Sequence, residues 1–155
     1  MMNDAAFINQ GYQISTEKDL LDFDVIYNYL DKDSYWSKGI PVDRLKRAIE
    51  GSICFGIYHH GTQVGFARVI TDKATFAYLA DVFVLSAHRG IGLSKWLIQT
   101  ITQHSEFEGL RRWSLATADA QGLYAQFGFS PITKSERWME IFTPYQTTNE
   151  EANER

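Results

Sequence analysis

The sequence predicts a mixed α/β fold: a mostly antiparallel central sheet flanked by helices, in the order β-α-α-β-β-β-α-β-α-β-β. Three observations carry that expectation. Residues 52–58, 62–70 and 76–84 are apolar, β-like runs joined by short turns, which reads as an antiparallel meander. Ahead of them, residues 17–30 and 42–49 carry apolar stripes at helical spacing. A glycine-bearing turn, Arg89-Gly90-Ile91-Gly92-Leu93-Ser94, then joins the third strand to an amphipathic run ending near Thr102. A strand–helix–strand crossover of this kind is right-handed.

Each element has a local reason. Residues 11–15 form a short strand, and Ser15 or Thr16 caps the helix over 17–30. The stripe of that helix holds Leu20, Leu21, Phe23, Val25, Ile26, Tyr29 and Leu30. Residues 31–40 make a polar-aromatic loop around Ser34-Tyr35-Trp36-Ser37. Pro41 suits the start of the helix over 42–49, and Gly51 suits its end. His59-His60-Gly61 is a tight hairpin signal, and residues 71–74 turn the chain into the third strand. After the crossover helix Gly109 breaks the chain, and a strand follows over 112–117. A short helix over 118–127 stops at Gly128, and a last pair of strands is expected over 129–132 and 137–142. One domain over 1–142 and a polar, flexible tail over 143–155 complete the reading.

Composition narrows the function. A net charge of −4 and a pI near 5.5 set nucleic acid aside and suit a cationic or neutral small substrate. Cys54, the one cysteine, lies between Ile53 and Phe55, so it reads as a buried small hydrophobe rather than a nucleophile. No Cys/His spacing fits zinc, and no metal is expected. Residues 1–14 lack the basic and apolar regions of a secretory signal. No apolar run approaches the roughly 20 residues that span a bilayer. The expectation is a cytoplasmic protein with no membrane partner, and a homodimer is compatible with it.

The turn at Arg89–Ser94 is a natural anion cradle. Free N–H groups and the positive end of the following helix converge there. Gly90 and Gly92 allow positive φ and close approach, and Arg89 adds a planar, permanently charged donor. A Walker P-loop is excluded, because its first glycine is missing and Lys95 follows Ser94 rather than preceding it. A dinucleotide fingerprint is excluded too: Lys95 stands where the third glycine belongs, and no acidic residue lies near 111–114. A turn that binds nothing remains as the plain alternative.

Beside these features the chain resembles the GNAT superfamily of acetyl-coenzyme A-dependent N-acetyltransferases. The family motif is Gln/Arg-x-x-Gly-x-Gly/Ala after a strand ending in a valine-like residue. Here Val84 is followed by Arg89, Gly92 and Ser94, with Ser replacing Gly/Ala and Ser86 where the family commonly has proline. The second element is a short helix with a tyrosine and then Gly-Phe. It appears as Leu123-Tyr124-Ala125-Gln126-Phe127-Gly128-Phe129. The element order matches over about residues 12–142, and the motifs over 82–94 and 117–129.

The resemblance implies roles for particular residues. The backbone of Arg89, Gly90, Ile91, Gly92, Leu93 and Ser94 would hold the pyrophosphate of acetyl-CoA. The backbone of Val82, Phe83 and Val84 would orient the thioester and polarise its carbonyl. Tyr124 would be the general acid near the cofactor sulfur; its plain alternative is a core aromatic. Thr117 stands where the family often has an asparagine touching the cofactor arm. Relatives carry a Glu or His base at the positions of Tyr78 or Ala80, so the usual base is absent. Asp81 is the nearest carboxylate, although strict alternation puts it on the face opposite Tyr78 unless a bulge intervenes. It serves as base or anchors a neighbouring loop, and a water chain is the further option.

Tyr35, Trp36 and Tyr78 are the expected acceptor wall. Arg68 binds an acidic acceptor group or pairs with an acidic neighbour. The activity implied is acetyl transfer to a primary amine of a small molecule or peptide, in a ternary complex. Its alternatives are a non-catalytic acyl-CoA-binding module and a plain interaction domain.

Overall fold

The computed structural model describes residues 4–146. Its centre is a five-stranded sheet in the order β1 (Tyr12–Ser15), β2 (Ile53–His59), β3 (Thr62–Thr71), β4 (Phe76–Val84) and β5 (Arg112–Ser114). The first four strands pair antiparallel, and β5 runs parallel to β4. The mixed, mostly antiparallel sheet with flanking helices is therefore as the sequence predicts. The β2–β3 hairpin turns on His60 and Gly61, at φ 48° and 84°, the positive pair that a two-residue turn needs to match strand twist. Asp72 builds the β3–β4 turn by accepting from the backbone N–H groups of Ala74, Thr75 and Phe76.

Two apolar layers sandwich the sheet. On one face, Phe55, Ile57, Ala67, Val69 and Leu79 pack with Leu97, Ile98 and Ile101 of α4 (Leu93–Thr102). On the other face, Cys54, Phe66 and Phe83 pack with Ile26, Leu30 and Leu45, the last on α3 (Val42–Glu50). Cys54 is a core residue, 1% exposed, and burial pushes its thiol pKa up.

The helix expected over 17–30 is divided. Asp22 caps α2 (Phe23–Asn28) by accepting the Val25 N–H, while its own N–H donates to Gln63 Oε1 on β3. A 3₁₀ turn, Lys18–Leu20, precedes it and a π turn, Tyr29–Asp33, follows it. Helix α1 (Asp4–Asn9) has no counterpart in the sequence reading. Six residues do not hold a helix in water. Here Phe7 stacks on Trp96 at 4.7 Å, and the Trp96 indole donates to Asp4.

The last two expected strands do not form. Among residues 129–146 there is one 3₁₀ turn, Ser135–Arg137, and otherwise extended or irregular chain. Pro131 lacks a ladder donor, Lys134 sits at φ 60°, and β5 offers an edge of only three residues. The predicted α5 is likewise shorter, Gln121–Ala125. Tyr145, in the expected tail, packs against the second apolar layer. Residues 147–155 of that tail lie outside the described residues. No helix among the described residues is long and apolar enough to cross a membrane.

Candidate active site

The crossover turn leaves β4 through a 3₁₀ turn, Ser86–His88, and enters α4 at Gly92. Gly90 and Gly92 lie at φ 83° and 94°, where a side chain is strained. Gly92 is the N-cap of α4 and supplies no capping side chain, so the first-turn N–H groups have no side-chain acceptor. A Cβ placed at Gly90 would meet nothing within 4 Å, so a ligand can reach the backbone. Ile91 is exposed, Leu93 is anchored in the core, and Ser94 is half-buried. The arrangement fits a phosphate held by backbone donors. The Arg89 side chain turns away from them: its Nε donates to Val84 O at 2.8 Å and its terminal nitrogen to Tyr29 Oη at 2.9 Å.

Next to the cradle the sheet opens. The β4–β5 ladder ends at Tyr78 and Ser114, while β4 runs on to Val84. Within β4 the register to β3 shifts between Phe66 and Arg68, so Asp81 and Val82 together face Ala67. Asp81 is the bulged residue, at φ 55°. The bulge changes which residues share a face. Leu79, Val82 and Val84 pack in the first apolar layer, and Phe83 in the second. Strict alternation would have placed Asp81 on the first face; the bulge directs its carboxylate to Trp36 and Arg68 on the second.

Tyr124, on α5, is 8% exposed and belongs to the first apolar layer. Burial, with the Tyr35 hydroxyl and the Asp119 carboxylate nearby, pushes its pKa up to about 12. The phenol is therefore protonated at neutral pH and can donate. Its ring meets Phe129 edge-on at 5.8 Å. Thr117 Oγ1 accepts the Ala120 N–H at 3.1 Å, which leaves the hydroxyl proton free to donate elsewhere.

A row of aromatic rings starts at Phe83 of β4. Phe83 stacks on Tyr29 at 4.0 Å, Tyr29 tilts against Trp36 at 6.5 Å, and Trp36 meets Tyr35 edge-on at 5.0 Å. Tyr35 Oη then accepts the Ala118 N–H at 2.8 Å, beside Thr117. Tyr35 and Trp36 are thus brought against the segment that carries Thr117, while Tyr78 stands at the point where β4 and β5 part. Asp81 Oδ1 accepts the Trp36 indole N–H at 2.9 Å, and Oδ2 pairs with Arg68 Nε. Arg68 therefore pairs with an acidic neighbour. The sequence reading missed Tyr29, which it placed in a core stripe. Its spacing gave no sign that it would bridge Arg89 and Phe83, which are distant in the chain. Among the described residues no group of three or more His, Cys, Asp or Glu could hold a metal.

Fold and cradle together describe a class: an α/β protein that presents bare helix N–H donors beside an opened sheet edge. The model of the acetyltransferase (GNAT) family matches residues 23–129. A Gibberella zeae protein named as an acetyltransferase is 36% identical over 135 residues, covering 74% of this chain and 76% of that protein. A solved Xanthomonas campestris protein assigned to the GNAT family superposes with a TM-score of 0.85 at 50% identity, covering 88% of this chain and 97% of that one. A Clostridium acetobutylicum protein described as a predicted acetyltransferase, solved with acetyl-CoA, shares the fold, with a TM-score of 0.61 at 15% identity over 84% of this chain and 94% of that one. This chain belongs to the GNAT acetyltransferase family. Members of that family are transferases that use acetyl-CoA and act on amine acceptors.

Proposed function

We propose that the protein transfers an acetyl group from acetyl-CoA to a primary amine of a small molecule or peptide, by direct attack in a ternary complex. The observation that supports this reading is the uncapped N-terminus of α4, which follows a β4 strand that runs on past its pairing with β5. Acetyl-CoA supplies an activated acetyl carbonyl and a thiolate leaving group. The N–H groups from Arg89 to Ser94 bind its pyrophosphate. The Val82–Val84 backbone aligns the thioester, and Thr117 steadies the cofactor arm. Tyr124 holds a proton at Oη and gives it to the departing sulfur. Tyr35, Trp36 and Tyr78 wall the acceptor. With both Asp81 oxygens engaged, the amine loses its proton to water, or arrives neutral.

A second reading, a module that binds acyl-CoA without turnover, is favoured by the lack of a free strand carboxylate. Release of free thiol from acetyl-CoA over a panel of amines decides between them. Turnover on at least one amine is expected. Calorimetric binding of CoA with no thiol release on any amine would overturn the enzyme reading.

A further inference from the structure

We infer that Asp81 is a positioning residue for the acceptor loop, acting through the Trp36 indole with Arg68 as its counter-ion. The inference rests on the acetyltransferase reading only for what the loop walls; the linkage stands on geometry. Asp81 is 8% exposed and sits at φ 55°, in the left-handed region that residues other than glycine seldom adopt. Such strain persists when surrounding contacts over-determine it. Here the contacts are specific. One carboxylate oxygen takes the indole N–H and the other takes Arg68 Nε. A second Arg68 nitrogen donates to Ser52 Oγ at 3.1 Å, whose own proton goes to Ala48 O at the end of α3.

Trp36 is 40% exposed, so burial alone does not orient its ring. The hydrogen bond to Asp81 does. Trp36 in turn sets Tyr35 edge-on, and Tyr35 reaches the Ala118 N–H. A continuous line thus runs from α3 through Arg68, Asp81, Trp36 and Tyr35 to the segment before α5. It crosses the mouth of the opened sheet on the acceptor side. Both carboxylate oxygens are already held by donors of the protein itself. The work of Asp81 is to fix the wall against which the amine is aligned.

Asp81→Asn leaves one acceptor oxygen for two donors and breaks the pair. Trp36→Phe keeps the buried pair and removes the indole donor together with part of the ring, so it tests the linkage, through the double variant, even if Asp81→Asn folds poorly. Each variant should raise the KM for the amine roughly 10-fold, with kcat and the KM for acetyl-CoA within about threefold. The double variant should cost no more than the larger single change. The acidic limb of the pH profile should stay where it is. Independently of turnover, the Trp36 indole N–H resonance, assigned by its loss in Trp36→Phe, should shift and exchange faster in Asp81→Asn. A collapse of kcat with loss of the acidic limb would make Asp81 the base and overturn the inference. An unmoved indole resonance would also overturn it. If wild-type protein turns over no amine, the proposed function fails while the indole measurement still decides the linkage.

Discussion

The Tyr35 hydroxyl accepts the backbone N–H of Ala118 at 2.8 Å, across 83 residues of chain. The bond joins the loop after α2 to the segment that carries Thr117 and leads into α5. Tyr35→Phe keeps the ring and removes the acceptor. A single neutral hydrogen bond contributes about 1 kcal/mol, so the melting temperature should fall by about 2–4 °C, and loosening of the loop should raise the amine KM by up to roughly fivefold. Steady-state kinetics over an amine series checks this.

Tyr124→Phe should lower kcat roughly 10-fold or more, in line with general-acid contributions. Because burial raises the phenol's pKa to about 12, its proton is retained well above neutrality. Loss of this acid should therefore produce no falling limb in kcat below about pH 10. An unchanged kcat in the variant, with chemistry shown to be rate-limiting, would refute the role.

Gly92 holds the α4 N-cap at φ 94° with no side chain over the first-turn N–H groups. Gly92→Ala places a Cβ in the left-handed region at a cost of about 1–2 kcal/mol and disturbs the cradle. CoA should bind roughly 10-fold more weakly by calorimetry. Equal affinity would show that the turn does not hold the phosphates.

Asp72 accepts three backbone N–H groups in the β3–β4 turn, which holds its carboxyl well below the usual carboxylate range. A depressed native pKa stabilises the fold above the unfolded value of 3.8, and the benefit fades as pH falls below it. Asp72→Asn should lower the melting temperature at pH 7. The gap to wild type should close as the pH drops from about 4 towards 2.

Several features were legible without coordinates because they depend on neighbours in sequence. The meander strands follow from apolar runs bounded by turn residues, and α3 from Pro41 and Gly51. Other features were not. α1 exists because Phe7 finds Trp96, 89 residues away. The helix over 17–30 divides because Asp22 bonds to Gln63 on another strand. The strands expected over 129–142 needed a long free edge, and β5 supplies three residues.

The sequence by itself determined the sheet, its layers and the glycine turn with Tyr124 downstream, since periodicity, turn chemistry and motif spacing act within short stretches of chain. Only the tertiary structure decided the partners of Asp81 and Arg89. A bulge turned Asp81 to the other face, where it met Trp36 and Arg68. Arg89 was drawn to Tyr29 and away from the cradle. Those outcomes depend on register and on partners distant in the chain, and a linear pattern carries neither.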